Sequence, residues 1–105
     1  MRLAFTMLVD PGQATEYEAR HNPIWPELEN TLIGHGVKTY SIFLERATGM
    51  LFAYAEIEDL DKWQAIASTE VCQRWWRYMA PLMAVNADHS PKTTNLDEVF
   101  HLESD

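Results

Sequence analysis

Cysteine is nearly absent from this sequence. Cys72 is the only one, so no intrachain disulfide can form and a reducing compartment is expected. Metal-ligand patterns are missing as well. His21, His35, His89 and His101 show no HxxxH spacing, there is no CxxC, and thiolate ligation is limited to Cys72, so no metal site is expected. There is no glycine-rich phosphate loop either, because Gly34-His35-Gly36 does not fit a dinucleotide-binding pattern. No apolar stretch approaches the length of a membrane span. The apolar run after Arg2 ends at Asp10-Pro11 without a cleavage site, so no signal peptide is expected and the expected location is cytoplasmic. Basic residues are scarce: 8 Lys and Arg stand against 16 Asp and Glu, for a formal net charge of −8. That field repels nucleic acid and anionic membrane and disfavours a phosphorylated ligand. A neutral small molecule or another protein suits it better.

Low-complexity tracts and internal repeats are also lacking. The chain has 105 residues, 47% of them hydrophobic and 23% charged, which is ordinary for a globular protein. One domain over residues 1–105 is expected, burying about two-thirds of its unfolded surface.

Residues 2–9 alternate, with Leu3, Phe5, Met7 and Val9 on one face and Ala4, Thr6 and Leu8 on the other. That predicts a strand ended by the Asp10-Pro11-Gly12 turn. An interrupted helix follows from Ala14 to Ile33, closed by Gly34-His35-Gly36 in the manner of a glycine C-cap. Strands over Val37–Arg46 and Met50–Glu56, joined at Ala47-Thr48-Gly49, read as a β-hairpin. Residues 59–67 read as a short helix with Leu60, Trp63, Ile66 and Ala67 inward. Ser68-Thr69 offers an N-cap to a second helix running to about Met79, with a stripe of Val71, Trp75, Tyr78 and Leu82 and an end at Pro81. Asn86–Thr94 is a polar loop, and Leu96–Leu102 reads as a last strand. The order β-α-β-β-α-β is the ferredoxin-like arrangement of the α+β class, an antiparallel sheet with helices on one face. Leu, Phe and Met on both strand faces imply that the other face is covered too. A second copy of the chain is the simplest cover, which predicts a homodimer of the dimeric α/β-barrel type.

The stretch Tyr17–Leu28 holds the chemistry-bearing residues. Tyr17, Leu28 and Leu32 share a helical stripe, and His21 falls on it one turn after Tyr17, so it should point inward. Pro23 and Pro26 then break the helix. Either Asn22 caps a restart with Pro23 at the first helical position, or the restart comes at Trp25-Pro26. An inward histidine at a helix break is either a core residue with one hydrogen bond or part of a pocket. The adjacent Trp75-Trp76 pair is open in the same way. Neighbours on a helix point about 100° apart, so with Trp75 in the core Trp76 lies at its edge, either filling space or offering a face to a sugar or ring. Histidine gives and takes protons near neutrality. One such group among aromatic rings suits acid–base chemistry on a neutral ligand.

The run Tyr17-x-x-x-His21-Asn22-Pro23-Ile24-Trp25-Pro26-Glu27-Leu28-Glu29 resembles the L-rhamnose mutarotase family. So does Ala67-Ser68-Thr69-Glu70-Val71-Cys72-Gln73-Arg74-Trp75-Trp76, followed by Tyr78-Met79. The similarity extends to the Pro11 turn, Tyr40 and Glu98-Val99-Phe100, so it spans nearly the whole chain. The resemblance implies an enzyme that interconverts the α and β anomers of L-rhamnose, needs no cofactor, and is a dimer of ferredoxin-like fold. It implies His21 as the proton donor and Tyr17, Tyr40, Trp75 and Trp76 as monosaccharide-binding residues. Departures around Lys38, over 45–48 and at Glu103-Ser104-Asp105 touch none of these five. Rival readings are a cofactor-free monooxygenase of the same dimeric fold and a small-molecule binding module in which His21 is structural.

Overall fold

The computed structural model describes residues 1–104. Its elements are β1 (Arg2–Leu8), α1 (Ala14–Arg20), α2 (Pro26–Gly34), β2 (Val37–Glu45), β3 (Met50–Ile57), α3 (Leu60–Ala65), α4 (Glu70–Met79) and β4 (Thr94–Leu96). The strands form one antiparallel sheet in the order β2-β3-β1-β4. With the helices inserted, this is the ferredoxin-like α+β arrangement that the alternation of patterns predicts.

The alternation of β1 and β3 sets the two faces. Leu51, Ala53, Ala55 and Ile57 are at most 1% exposed. Leu51 and Ala53, with Phe5 and Met7, meet Tyr17, Leu28, Val71 and Trp75 from the helices, while Ala55 and Ile57 meet Ile66 and Cys72. Each large aliphatic buried there contributes about 1.5–3 kcal/mol. The opposite face carries Phe43 directly across from Phe52, and Leu8 across from Met50. All four of these side chains are exposed. β1 ends where its chain meets the hairpin: Val9 N donates to the Gly49 carbonyl at 2.9 Å. Gly49 has φ +79, and a Cβ there would lie 2.7 Å from the Val9 carbonyl oxygen, so only glycine fits.

The helix break follows the second of the two options. Trp25 occupies the N-cap position of α2 and Pro26 its first residue, where a missing N–H costs nothing. Asn22 does not cap α2; its Nδ2 donates back to the Glu18 carbonyl at 2.8 Å and closes the end of α1. Only after Pro26 does the chain run without a further proline, so only there can the helix continue. The cap expected at Ser68-Thr69 is in place, with the Thr69 hydroxyl accepting from Cys72 N; α3 has a cap of its own in Asp59, which accepts from Lys62 N.

Three expectations are corrected. In α3, Leu60 and Ala67 are exposed, leaving Ile66 as the buried residue and Trp63 half-buried, because α3 ends at Ala65 and a tighter turn of 3₁₀ helix follows over Ile66–Ser68. Rotation per residue is larger in that turn, so the stripe shifts. In α4 the buried stripe is Val71, Cys72, Trp75 and Met79; Tyr78 lies outside it, 40% exposed. The last strand is Thr94–Leu96 rather than Leu96–Leu102. It pairs with β1 from Thr6 to Ala4, and Arg2 closes the register on Glu98 at 2.8 Å. β1 begins at Arg2, and among the described residues no strand pairs with the segment beyond Glu98. Val99, Phe100 and Leu102 there are 93%, 78% and 77% exposed. Of the three terminal residues that depart from the family pattern, Asp105 lies outside the described residues.

Candidate active site

Between the inner face of the sheet and α1, α2 and α4 lies a cavity of about 1000 Å³. Its size is at the upper end of small-molecule sites. All five residues singled out from the sequence line it: Tyr17 and His21 from α1, Tyr40 from β2, and Trp75 and Trp76 from α4. Residues 58 positions apart in the chain therefore meet because α1 and α4 lie on the same side of the sheet.

His21 sits at the C-terminal end of α1. Its own N–H reaches back to the Glu18 carbonyl at 3.1 Å, which leaves the Tyr17 carbonyl without the usual helical partner. The His21 ring supplies one instead: Nδ1 lies 2.8 Å from the Tyr17 carbonyl oxygen. The ring is flanked by the Tyr17 ring at 4.4 Å and meets Trp75 edge-on at 5.2 Å. Burial between these rings lowers the imidazole pKa below its ordinary value, and the backbone hydrogen bond opposes that only in part. At neutral pH the ring is therefore mostly uncharged.

Tyr17 is buried and Tyr40 half-buried, and neither hydroxyl makes a hydrogen bond among the described residues. Desolvation raises both phenol pKa values, so both stay protonated and able to donate. Trp75 is buried at 8% exposure and Trp76 half-buried. This is the core-and-edge division that adjacent helical positions require. Trp76 packs between the two clusters of the core.

Several lining residues were not singled out from sequence. Trp63 stands against Tyr40 with ring centroids 5.6 Å apart and against Phe5 at 6.3 Å. Its helical spacing marked it as inward, but nothing in the spacing separated wall from core. Arg46, on the β2–β3 turn, pairs with Glu18 of α1 at 3.2 Å, and both line the cavity at its exposed rim. Asn86, His89 and Ser90 line another part. They belong to a turn in which Asn86 N donates to the Ser90 carbonyl and His89 N to the Asn86 carbonyl. No cluster of three or more His, Cys, Asp or Glu side chains suited to a metal occurs among the described residues, and none of their helices is long and apolar enough to cross a membrane.

The sequence model of a family described as L-rhamnose mutarotase matches residues 2–102. The chain belongs to the L-rhamnose mutarotase family. It is 54% identical to an L-rhamnose mutarotase of Shigella flexneri over 102 residues, which cover 97% of this chain and 98% of the relative. The same figures hold for an L-rhamnose mutarotase of Escherichia coli O1:K1. Among solved structures, an L-rhamnose mutarotase from Formosa agariphila superposes with a TM-score of 0.89 at 42% identity, covering 98% of this chain and 99% of that one. An antibiotic biosynthesis monooxygenase shares the fold alone, with a TM-score of 0.62 at 13% identity over 93% of this chain and 97% of its own. Family membership thus separates the mutarotase reading from the monooxygenase one, for which only the architecture speaks.

Proposed function

We infer that this chain is an isomerase that interconverts the α and β anomers of L-rhamnose by opening and reclosing the pyranose ring. The observation that carries the reading is the convergence of His21, Tyr17, Tyr40, Trp75 and Trp76 on one cavity, in a chain 54% identical to L-rhamnose mutarotases over nearly its full length.

Ring opening requires a proton on the ring oxygen and loss of one from the anomeric hydroxyl. His21 is the group that delivers the proton to the ring oxygen, and a positioned acid–base group contributes about 10²–10⁴-fold to such a step. The free hydroxyls of Tyr17 and Tyr40 hydrogen-bond sugar hydroxyls, and Trp75 and Trp76 offer ring faces to the C–H surface of the sugar. The apolar lining suits the 6-methyl group of rhamnose. A hydrophobic pocket rejects an added hydroxyl only about 100-fold, so related sugars are poorer substrates rather than excluded ones.

The working unit is a homodimer. Phe43, Phe52, Leu8 and Met50 make an exposed apolar patch across the sheet, and a patch of this kind marks an interface. The exposed Val99, Phe100 and Leu102 add further apolar surface. A lone, buried Cys72 suits a reducing compartment, which supports a cytoplasmic location.

Anomer exchange measured by saturation-transfer NMR tests the activity. L-rhamnose exchange should accelerate strongly with the protein and D-glucose exchange much less. His21→Ala should lose about 10²–10⁴ in rate while keeping most sugar affinity. Full catalysis in that variant would remove His21 from the role, and no acceleration for any sugar would sink the reading.

A further inference from the structure

We propose that His21 starts the reaction as a base: Nε2 takes the anomeric hydroxyl proton and the same nitrogen then returns it to the ring oxygen. This rests on the mutarotase reading above and names the acceptor that a donor role alone leaves unassigned.

The geometry fixes the tautomer. A carbonyl oxygen can only accept, so the 2.8 Å contact between Nδ1 and the Tyr17 carbonyl requires a hydrogen on Nδ1 in either protonation state. The nitrogen left for the cavity is Nε2, which makes no hydrogen bond among the described residues. When the ring is neutral, Nε2 carries a lone pair and no proton. It cannot donate first; it can only accept. Burial against Tyr17 and Trp75 favours that neutral ring near pH 7.

The other titratable groups around the cavity are poorly placed to compete. Tyr17, in the helix before His21, and Tyr40, on the sheet, are held protonated by burial. Cys72 on α4 is pushed up to about 11. Glu18 on α1 is taken by Arg46 of the hairpin turn. That leaves His89 on the turn after α4, exposed and making no side-chain hydrogen bond among the described residues.

The steps balance with this one nitrogen. Nε2 removes the proton from O1, the O1–H pair becomes the second C1–O1 bond, and the C1–O5 bond breaks with its electrons going to O5. The imidazolium Nε2–H then protonates O5, giving the open aldehyde and a neutral His21. Rotation about C1–C2 presents the other carbonyl face, and the reverse sequence closes the ring. O1 and O5 are bonded to the same carbon, so a small shift of the sugar brings each to Nε2.

The test is the pH profile of kcat/KM for L-rhamnose anomer exchange, corrected for the spontaneous rate, beside an NMR titration of the His21 ring assigned by its loss in His21→Asn. Base-first catalysis predicts a plateau at and above neutral pH and a fall of about tenfold per pH unit below the His21 titration. A rate highest with His21 protonated, falling about tenfold per unit above that titration, would overturn the proposal in favour of an acid-first histidine. His89→Gln should leave the acid limb tracking the His21 titration. Disappearance or displacement of that limb in His89→Gln would give the base to His89 and equally overturn it. Absence of exchange at every pH would overturn the mutarotase reading itself, and this proposal with it.

Discussion

Trp25 stands edge-on to Trp75, ring centroids 5.1 Å apart and planes at 87°. Trp25 is the residue at which the broken helix restarts, and Trp75 is the buried wall of the cavity. The break therefore does two things at once. It frees the Tyr17 carbonyl for His21, and it turns Trp25 onto the back of Trp75. Behind this pair, Tyr78 packs on Trp25 at 5.2 Å, Arg20 lies 4.2 Å above Tyr78, and Arg74 lies 5.4 Å from Trp25. This wall of the cavity is held from outside by aromatic and cation–π contacts.

Trp25→Ala removes that support. Trp25 is half-buried, so the stability loss should be about 2 kcal/mol, below the ~3–5 of a fully buried tryptophan. Because Trp75 loses its edge contact, KM for L-rhamnose should rise several-fold with a smaller change in kcat. Urea denaturation and steady-state anomer exchange measure the two effects. Unchanged KM with the full stability loss would mean that Trp75 is held by the core alone.

Tyr17→Phe and Tyr40→Phe test the free hydroxyls. Neither hydroxyl has a hydrogen-bond partner among the described residues, so their removal leaves no donor or acceptor there stranded. Stability should change by less than about 0.5 kcal/mol. Sugar affinity should fall by about tenfold for each, the worth of one hydrogen bond of ~1.4 kcal/mol at the upper end of neutral pairs. Isothermal titration with L-rhamnose beside thermal melts separates the two. A large drop in melting temperature with intact affinity would assign these hydroxyls to the fold.

Phe43 and Phe52 face each other across β2 and β3 on the uncovered side of the sheet, Phe43 at 66% exposure. In an isolated chain Phe43→Asp would cost little, since the residue is already in water. In a homodimer it places a charge in the centre of an apolar contact. Light scattering should show the parent as a dimer and Phe43→Asp shifted to monomer at micromolar concentration. A parent that is monomeric at working concentration would end the dimer proposal.

Much of this arrangement is legible in the sequence because it depends on period. Alternation over residues 2–9 gave β1 to within one residue, and the hairpin strands end within one residue of their pattern limits. The inward direction of His21 follows from its distance to Tyr17. What period does not report is the partner of each stripe. Leu96–Leu102 alternates well enough for a strand, yet β1 ends at Arg2 and supplies no edge beyond Glu98. Trp63 has the spacing of a core residue, and only the position of Tyr40 across from it makes it a cavity wall. Glu18 and Arg46 are 28 positions apart on exposed surfaces, and no local pattern brings them together.

Cys72 is the one thiol, buried beneath Trp76 and the Tyr40 wall and pushed up to about 11 by loss of hydration. A thiol reacts as thiolate, so at pH 8 the folded protein should react with a disulfide reagent at least about tenfold more slowly than the same protein in denaturant. The same shift has a stability consequence whose sign is fixed. The folded state keeps the proton that the unfolded chain gives up at the ordinary thiol pKa. The stabilisation is therefore fully present below about 8.5, and is lost as pH rises from there through about 11. Cys72→Ala removes the ionisable group, so its unfolding free energy should decline less steeply than the parent's between pH 9 and 11. Equal slopes for the two proteins over that interval would show that the thiol keeps an ordinary pKa and is hydrated from the cavity.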